Sequence, residues 1–161
     1  MDAFKAIVTR RNIKEFKKDP IDRARLMSWL QTAAYAPNHR NTEPWEVLTV
    51  GPQTREKLHH KTNFAGAPIL LAILSIPGKT ELEHRENIIA ASCFAQNFCL
   101  AAHADGGGTR WSSLGASESA REVLGVPQGY EVIGLLAVGY PEQIPEPKSR
   151  QDIESKVKEL D

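Results

Sequence analysis

The sequence predicts one α+β domain in which helices cover both faces of a sheet of about four strands, a three-layer α/β/α arrangement. Three observations lead to that class. Helical and strand-like segments alternate without a strict βαβ repeat, after two helices in succession at the start. Two short apolar runs, 69–76 and 132–138, read as buried strands. One long stretch, 81–105, carries Ile88, Ile89, Ala91, Ala95, Phe98, Leu100, Ala101 and Ala102, and reads as a helix buried on most faces. A chain of 161 residues can close one such core, so 1–161 reads as a single domain with a trailing arm from 141.

Each element has a local reason. Phe4, Ile7 and Val8 at helical spacing make residues 2–10 a short first helix. Asp22 suits the N-cap of a second helix, with Leu26, Leu30, Ala33 and Ala34 on one stripe and Pro37 as its stop. A polar loop follows, then a strand over 46–50 and a polar surface helix over 53–62. Pro68 opens the strand 69–76, and Pro77-Gly78 closes it. Gly106-Gly107-Gly108 ends the long helix before a short strand, 109–112. Ser119 with Glu122 reads as a capping box for a helix that Gly125 terminates. After the strand 132–138 the composition turns to prolines and charges, and a charged helix is expected over 152–160.

Composition removes several functions. Lys+Arg and Asp+Glu are both 20, and that balance argues against a general nucleic-acid binder or a polybasic membrane-surface protein. The longest apolar run, 69–74, is far too short to cross a bilayer, and no leader pattern is visible, so a cytoplasmic protein is expected. Cys93 and Cys99 lie about 240° apart on a helix and cannot bridge, which fits a reducing compartment. None of the histidines at 39, 59, 60, 84 and 103 pairs at metal-binding spacing, so no metal site is expected; His59 and His60 read as solvated. A serine-nucleophile elbow is absent. The glycine triplet follows a helix and precedes a strand, the reverse of a dinucleotide-binding loop.

Two features point to a ligand. Arg10, Arg11 and Lys14 sit within five residues at a helix end, and Lys148 and Arg150 form a second basic pair far along the chain. Together they could converge on one phosphate, where arginine binds bidentately and lysine adds point charge. The loop 36–45 is rich in hydrogen-bonding side chains and stiffened by Pro37 and Pro44, which holds such groups in place before a ligand arrives. For each there is a plainer account: a solvated basic face, and an ordinary helix-to-strand connection.

Taken in order, these segments resemble the nitroreductase family of flavin mononucleotide (FMN) enzymes. Arg10-Arg11-Asn12-Ile13-Lys14-Glu15-Phe16 is similar to the family's opening RRS-x-R-x-F. The run from Ala33 to Trp45 resembles its AA-x-APS-x-x-N-x-QPW, with Glu43 in place of Gln. Ala67-Pro68, Ala95-Gln96-Asn97, Gly106-Gly107-Gly108-Thr109, Gly139-Tyr140-Pro141 and Pro147-Lys148-Ser149-Arg150 fall where the family has comparable pieces. The resemblance implies a nitroreductase-like α/β/α fold with a mostly antiparallel sheet. It also implies a homodimer with FMN at the subunit interface, across which the arm 141–161 passes to the partner. Hydride would come from NAD(P)H and go to a nitroaromatic, quinone or similar acceptor by a ping-pong route. The flavin carries that chemistry, so no catalytic side chain is expected. For the FMN site the expected residues are Arg10, Arg11, Asn12, Lys14, Lys148 and Arg150 at the phosphate and ribityl end. Tyr35, Pro37, Asn38, His39 and Asn41 of one subunit, with Arg110, Trp111 and Ser112 of the other, are expected beside the ring. The alternatives are a flavin-binding or dimerisation protein without turnover, and a reductive dehalogenase of the same fold, which Thr42-Glu43-Pro44-Trp45 also resembles.

Overall fold

In the computed structural model, described over residues 1–160, the strands are β1 (Trp45–Thr49), β2 (Ile69–Ser75), β3 (Gly108–Ser112) and β4 (Glu131–Gly139). They form one sheet in the order β1-β2-β4-β3, antiparallel throughout. The two apolar runs are its central strands. Leu71, Ile73, Leu136 and Val138 face one core, with Trp29, Phe94 and Phe98. Leu70, Ala72, Leu135 and Ala137 face the other, with Ile13, Phe16, Leu58, Phe64 and Ala120. Because both faces are covered, these strands read as continuous apolar runs rather than alternating ones.

The helices are α1 (Ala3–Thr9), α2 (Arg23–Ala33), α3 (Pro52–Lys57), α4 (Glu81–Ala104) and α5 (Glu118–Leu124). Asp2 and Asp22 cap the first two through their side chains, Asp22 accepting from the Arg25 N–H at 2.8 Å. Thr80 caps α4, and Glu83 reaches back to the Lys79 N–H at 2.8 Å, which completes a reciprocal cap. Helices α2 and α4 lie on one sheet face, and their packing is locked at the end of α4. There Asp105 accepts from the indole N–H of Trp29 at 2.9 Å and pairs with Arg25 at 3.2 Å. Trp29 is buried. Asp105→Ala would strand that N–H, and urea unfolding is expected to register a loss of about 1–3 kcal/mol. A loss below about 0.5 kcal/mol would mean the indole had found another acceptor.

Four expectations are corrected. The α5 cap is Ser117, whose Oγ accepts from the Ala120 N–H at 3.3 Å, so the helix begins before Ser119 and the Ser119–Glu122 box does not form. The polar helix expected over 53–62 stops at Lys57, because residues 59–66 turn left-handed to bury Phe64. His59, Asn63, Phe64 and Ala65 all have positive φ, and the Arg55 guanidinium holds the turn through the carbonyls of Asn63 and Ala67. Helix α4 is buried or half-buried over most of its length, with Ala91, Phe94, Ala95, Phe98 and Ala102 facing inward, but Ile89, expected among its covered residues, is exposed. The helix expected over 152–160 is only a 3-10 turn, Ile153–Lys156. Ile153, Val157 and Leu160 are exposed, and without a packed face so short a helix is not stable. Cys93 and Cys99 are both free thiols, as their spacing requires.

Of the glycine triplet, Gly106 takes φ +81° and turns the chain out of α4. Gly108 has another role. A Cβ there would lie 2.6 Å from Ile13 and 2.8 Å from Pro141, so only glycine lets both neighbouring segments close onto β3. That approach positions the site.

Candidate functional site: a cationic cleft between the two ends of the chain

After α1 the backbone runs extended along the edge of β3. The Ile13 N–H donates to the Thr109 carbonyl at 3.0 Å, and the Asn12 side-chain oxygen accepts from the Trp111 N–H at 3.2 Å. Ile13 and Phe16 point into the core, which leaves Asn12 and Lys14 facing out. The far end of the chain is tied to the same segment. Lys17 donates its N–H to the Tyr140 carbonyl at 2.9 Å, and Glu142 donates to the Glu15 carbonyl at 3.0 Å.

The two basic clusters therefore meet. A cleft of about 800 Å³ is lined by Ile7, Val8, Arg10, Arg11, Asn12 and Lys14 on one side, and by Pro145, Glu146, Pro147, Lys148 and Arg150 on the other. Among the described residues that line it, its five cations face a single carboxylate, Glu146. Among the described residues none of these cations is in an ion pair. Arg11 is half-buried: one terminal nitrogen donates to the carbonyls of Val8 and Arg10, each at 2.9 Å, and its Nε is buried without a partner. An unsatisfied buried donor costs about 1–3 kcal/mol. The donor set and the cleft's size fit the phosphate and ribityl end of a nucleotide.

The remaining expected site residues lie elsewhere. Tyr35, Pro37, His39 and Asn41 are exposed on the loop between α2 and β1. Pro37 borders an apolar groove of about 420 Å³ on the outer side of α4, with Ile88, Ile89, Ser92, Cys93, Gln96 and Asn97. Asn38 is committed to the loop itself, its amide donating to the Ala36 carbonyl at 3.1 Å and its oxygen accepting from the Glu43 N–H at 2.9 Å. Arg40, Asn41 and Glu43 all have positive φ, so this loop carries backbone strain of the kind that gathers at ligand-binding segments. In one chain, loop 35–41 does not reach the cationic cleft.

On β3, successive side chains alternate between sheet faces. Trp111 lies over Gly134, whose missing side chain makes the room, and is about one-third exposed, at 38 %. Arg110 is turned to the opposite face, where its charge acts on His60. Ser112 accepts from the Leu114 N–H at 3.3 Å and stabilises the turn after β3.

Two histidines carry more than the sequence suggests. His60, expected to be solvated, is half-buried and stacks on Phe64 with ring centroids 4.1 Å apart. Its Nδ1 accepts from the Phe64 N–H at 3.0 Å, which requires the neutral ring. Burial first, then the charges of Arg110 and Arg55, push its pKa below the ordinary histidine value. Between that lowered value and about 6.5 the unfolded chain binds the extra proton, so stability falls as pH drops below about 6.5. Thermal unfolding at stepwise lower pH should show that decline, and His60→Asn, which keeps an acceptor without a titrating ring, should make it shallower, leaving the share of His103, whose pKa is also held low. An unchanged slope in the variant would assign the effect to other groups. The second histidine, His103, sits in the last turn of α4, with Nε2 2.8 Å from the Thr9 hydroxyl. No local signal marks it, because its partners come from the other end of the chain.

A four-stranded antiparallel sheet between helical layers, with a cationic cleft built from both chain ends, defines an α/β/α protein. The model of the nitroreductase family matches residues 7–62 and 52–140. The chain belongs to the nitroreductase family. It is 29 % identical to a Bacillus subtilis protein named "Putative NAD(P)H nitroreductase YfhC", over 96 % of this chain and 92 % of that one. A nitroreductase-like family protein from Bacillus cereus shares the fold at TM-score 0.89 and 24 % identity, over 99 % and 96 % of the two chains. An NADPH:FMN oxidoreductase from Vibrio harveyi, complexed with NAD+, does so at TM-score 0.89 and 20 % identity, over 98 % of this chain and 76 % of that one. Among the described residues no helix is long and apolar enough to cross a membrane.

Proposed function

We propose that this protein is a cytoplasmic, FMN-dependent oxidoreductase that takes hydride from NAD(P)H and passes it to a nitroaromatic, quinone or similar acceptor. The observation that carries the reading is the convergence of Arg10, Arg11, Lys14, Lys148 and Arg150 on one cleft, with a buried guanidinium N–H left without a partner. The relatives' names, NAD(P)H nitroreductase and NADPH:FMN oxidoreductase, support the same chemistry. FMN, when bound, supplies the hydride-accepting and hydride-donating ring, which is why a ping-pong order suits the protein. The chain's part is to bind and orient. Arg10, Arg11, Lys14, Lys148 and Arg150 hold the phosphate end, and Asn12, pinned by the Trp111 N–H, lines the same cleft. Tyr35, Pro37, His39 and Asn41 border the ring, with Asn38 keeping their loop in shape.

A second subunit is part of this reading. Since loop 35–41 and the cationic cleft are apart within one chain, a partner brings one to the other. The apolar side chains left in water support it: Phe4 and Val8 on α1, Leu82 and Ile89 on α4, and Ile144, Val157 and Leu160 in the arm. A monomer at micromolar concentration that still holds FMN would refute the dimer.

The deciding experiment is anaerobic. Protein loaded with FMN is expected to be yellow, to bleach with NADH or NADPH, and to recover its colour with a nitroaromatic or a quinone. Yellow protein that does not bleach would be a flavin binder without turnover. Recovery with iodotyrosine alone would favour dehalogenation, and failure to retain FMN would reject the reading altogether.

A further inference from the structure

We propose that His103 is a proton-linked partner of the cationic cleft: when the cleft takes up a phosphate-bearing ligand, the His103 ring takes up a proton, so that anion affinity and protonation at this residue are coupled. This rests on the reading of the cleft as the phosphate end of a nucleotide site, and it adds a residue outside the cleft's lining.

The geometry starts with one hydrogen bond. His103 Nε2 lies 2.8 Å from the Thr9 hydroxyl, which joins the last turn of α4 to the residue before Arg10. The Thr9 hydroxyl has one hydrogen, and it is directed to the Lys5 carbonyl at 2.5 Å. The hydroxyl therefore accepts from His103, so Nε2 carries the ring hydrogen and Nδ1 is the site that gains or loses a proton. Protonation keeps the Thr9 bond intact. The ring's charge state is thus left to its electrostatic surroundings.

Those surroundings are cationic. Thr9, the hydrogen-bond partner of His103, directly precedes Arg10 and Arg11, both in the cleft lining, and their charges act on the ring. Lys5 lies on α1 one turn before Thr9. On α4 the neighbours are Cys99, one turn earlier and buried as a free thiol, and Asp105, whose carboxylate is already shared between Arg25 and Trp29 of α2. Burial first, then the charges of Arg10 and Arg11, hold the His103 pKa below the ordinary value. A dianion bound between Arg10 and Arg11 removes much of that repulsion. The negative end of the α4 dipole, where His103 sits, then favours the imidazolium. By linkage, whatever raises proton affinity on anion binding raises anion affinity on protonation by the same factor.

The test uses sulfate, a dianion that does not itself titrate near neutrality, and FMN, each added to the full-length protein. The His103 ring C–H resonance is followed by NMR from pH 5 to 8. Expected is an upward move of its midpoint on adding either ligand. Sulfate affinity should rise as pH falls, by at most about tenfold per pH unit for one linked proton. In His103→Gln, whose amide can still donate to Thr9, that pH dependence should vanish while sulfate still binds. A ligand that binds without moving the His103 midpoint overturns the inference and leaves the FMN reading standing. If sulfate moves the midpoint but FMN does not bind, the FMN reading falls and the coupling stands. Absence of binding by both rejects the two together.

Discussion

Arg10→Ala and Arg150→Ala are each expected to weaken FMN binding by about 1.5–3 kcal/mol, roughly a 10- to 150-fold loss of affinity. The two residues belong to clusters at opposite ends of the chain that meet in one cleft of about 800 Å³. Each is free of an ion pair among the described residues, so a phosphate would not have to displace an internal partner. Because Arg11, Lys14 and Lys148 remain when both are removed, the double variant should lose less than the sum of the singles. Flavin fluorescence titrations measure this directly. Affinity of the unmodified protein should also fall with added salt, since exposed cations bind a dianion largely through screened charge. Riboflavin gives the internal control, because it lacks the phosphate and its affinity should be nearly the same in all variants. Native FMN affinity in both single variants would remove the phosphate from this cleft.

Phe98→Ala is expected to be the most destabilising single change, at about 3–5 kcal/mol in the flavin-free protein. Phe98 is fully buried in the C-terminal half of α4. Its ring meets that of Trp29 edge-on, with centroids 6.4 Å apart and planes at 74°. It belongs to the core that joins α2 and α4 to Leu71, Ile73 and Leu136 of the central strands. Truncation loses the transfer energy of the ring and leaves a cavity that two helices and a sheet cannot close. Arg85→Ala on the outer side of the same helix is the contrast: that side chain is exposed, its ion pair with exposed Glu81 spans 3.6 Å, and the cost should stay within about 0.5 kcal/mol. Urea unfolding without flavin is the measurement, since a bound ligand would add its own stabilisation to the native state. A loss below about 1 kcal/mol for Phe98→Ala would show that the core repacks.

Much of the fold was legible in the chain because its causes are local. The runs 69–76 and 132–138 are β2 and β4 to within a residue or so, since a strand buried on both faces must be apolar at every position. Asp22 and Gly125 end their helices as their chemistry demands, one by accepting an orphan N–H and the other by taking φ +64°. Local signals fail where a distant segment decides. Residues 152–160 have helix-forming composition but no surface to pack on, and form only a 3-10 turn. Ser119 and Glu122 match a capping box, yet Ser117 starts the helix earlier. Phe64 accepts a left-handed backbone because burying its ring outweighs that strain, a trade no periodicity reveals.

The candidate site divides in the same way. The sequence by itself determined that two basic clusters exist and that a stiff polar loop follows the second helix, because charge and proline content are properties of the residues alone. Only the tertiary structure decided that the clusters share a cleft. For that, Gly108 must be bare enough for Ile13 and Pro141 to close on β3, and the hydrogen bonds of Lys17 and Glu142 must draw the two chain ends together. It also turned Arg110 and Trp111 to opposite faces of the sheet, and set His103 against Thr9 across 94 positions of chain. The physical reason is the range of the forces. Helix caps, turn glycines and apolar periodicity act within a few residues, whereas a binding site is made by packing, which joins groups according to the shape of the core and not their order along the chain.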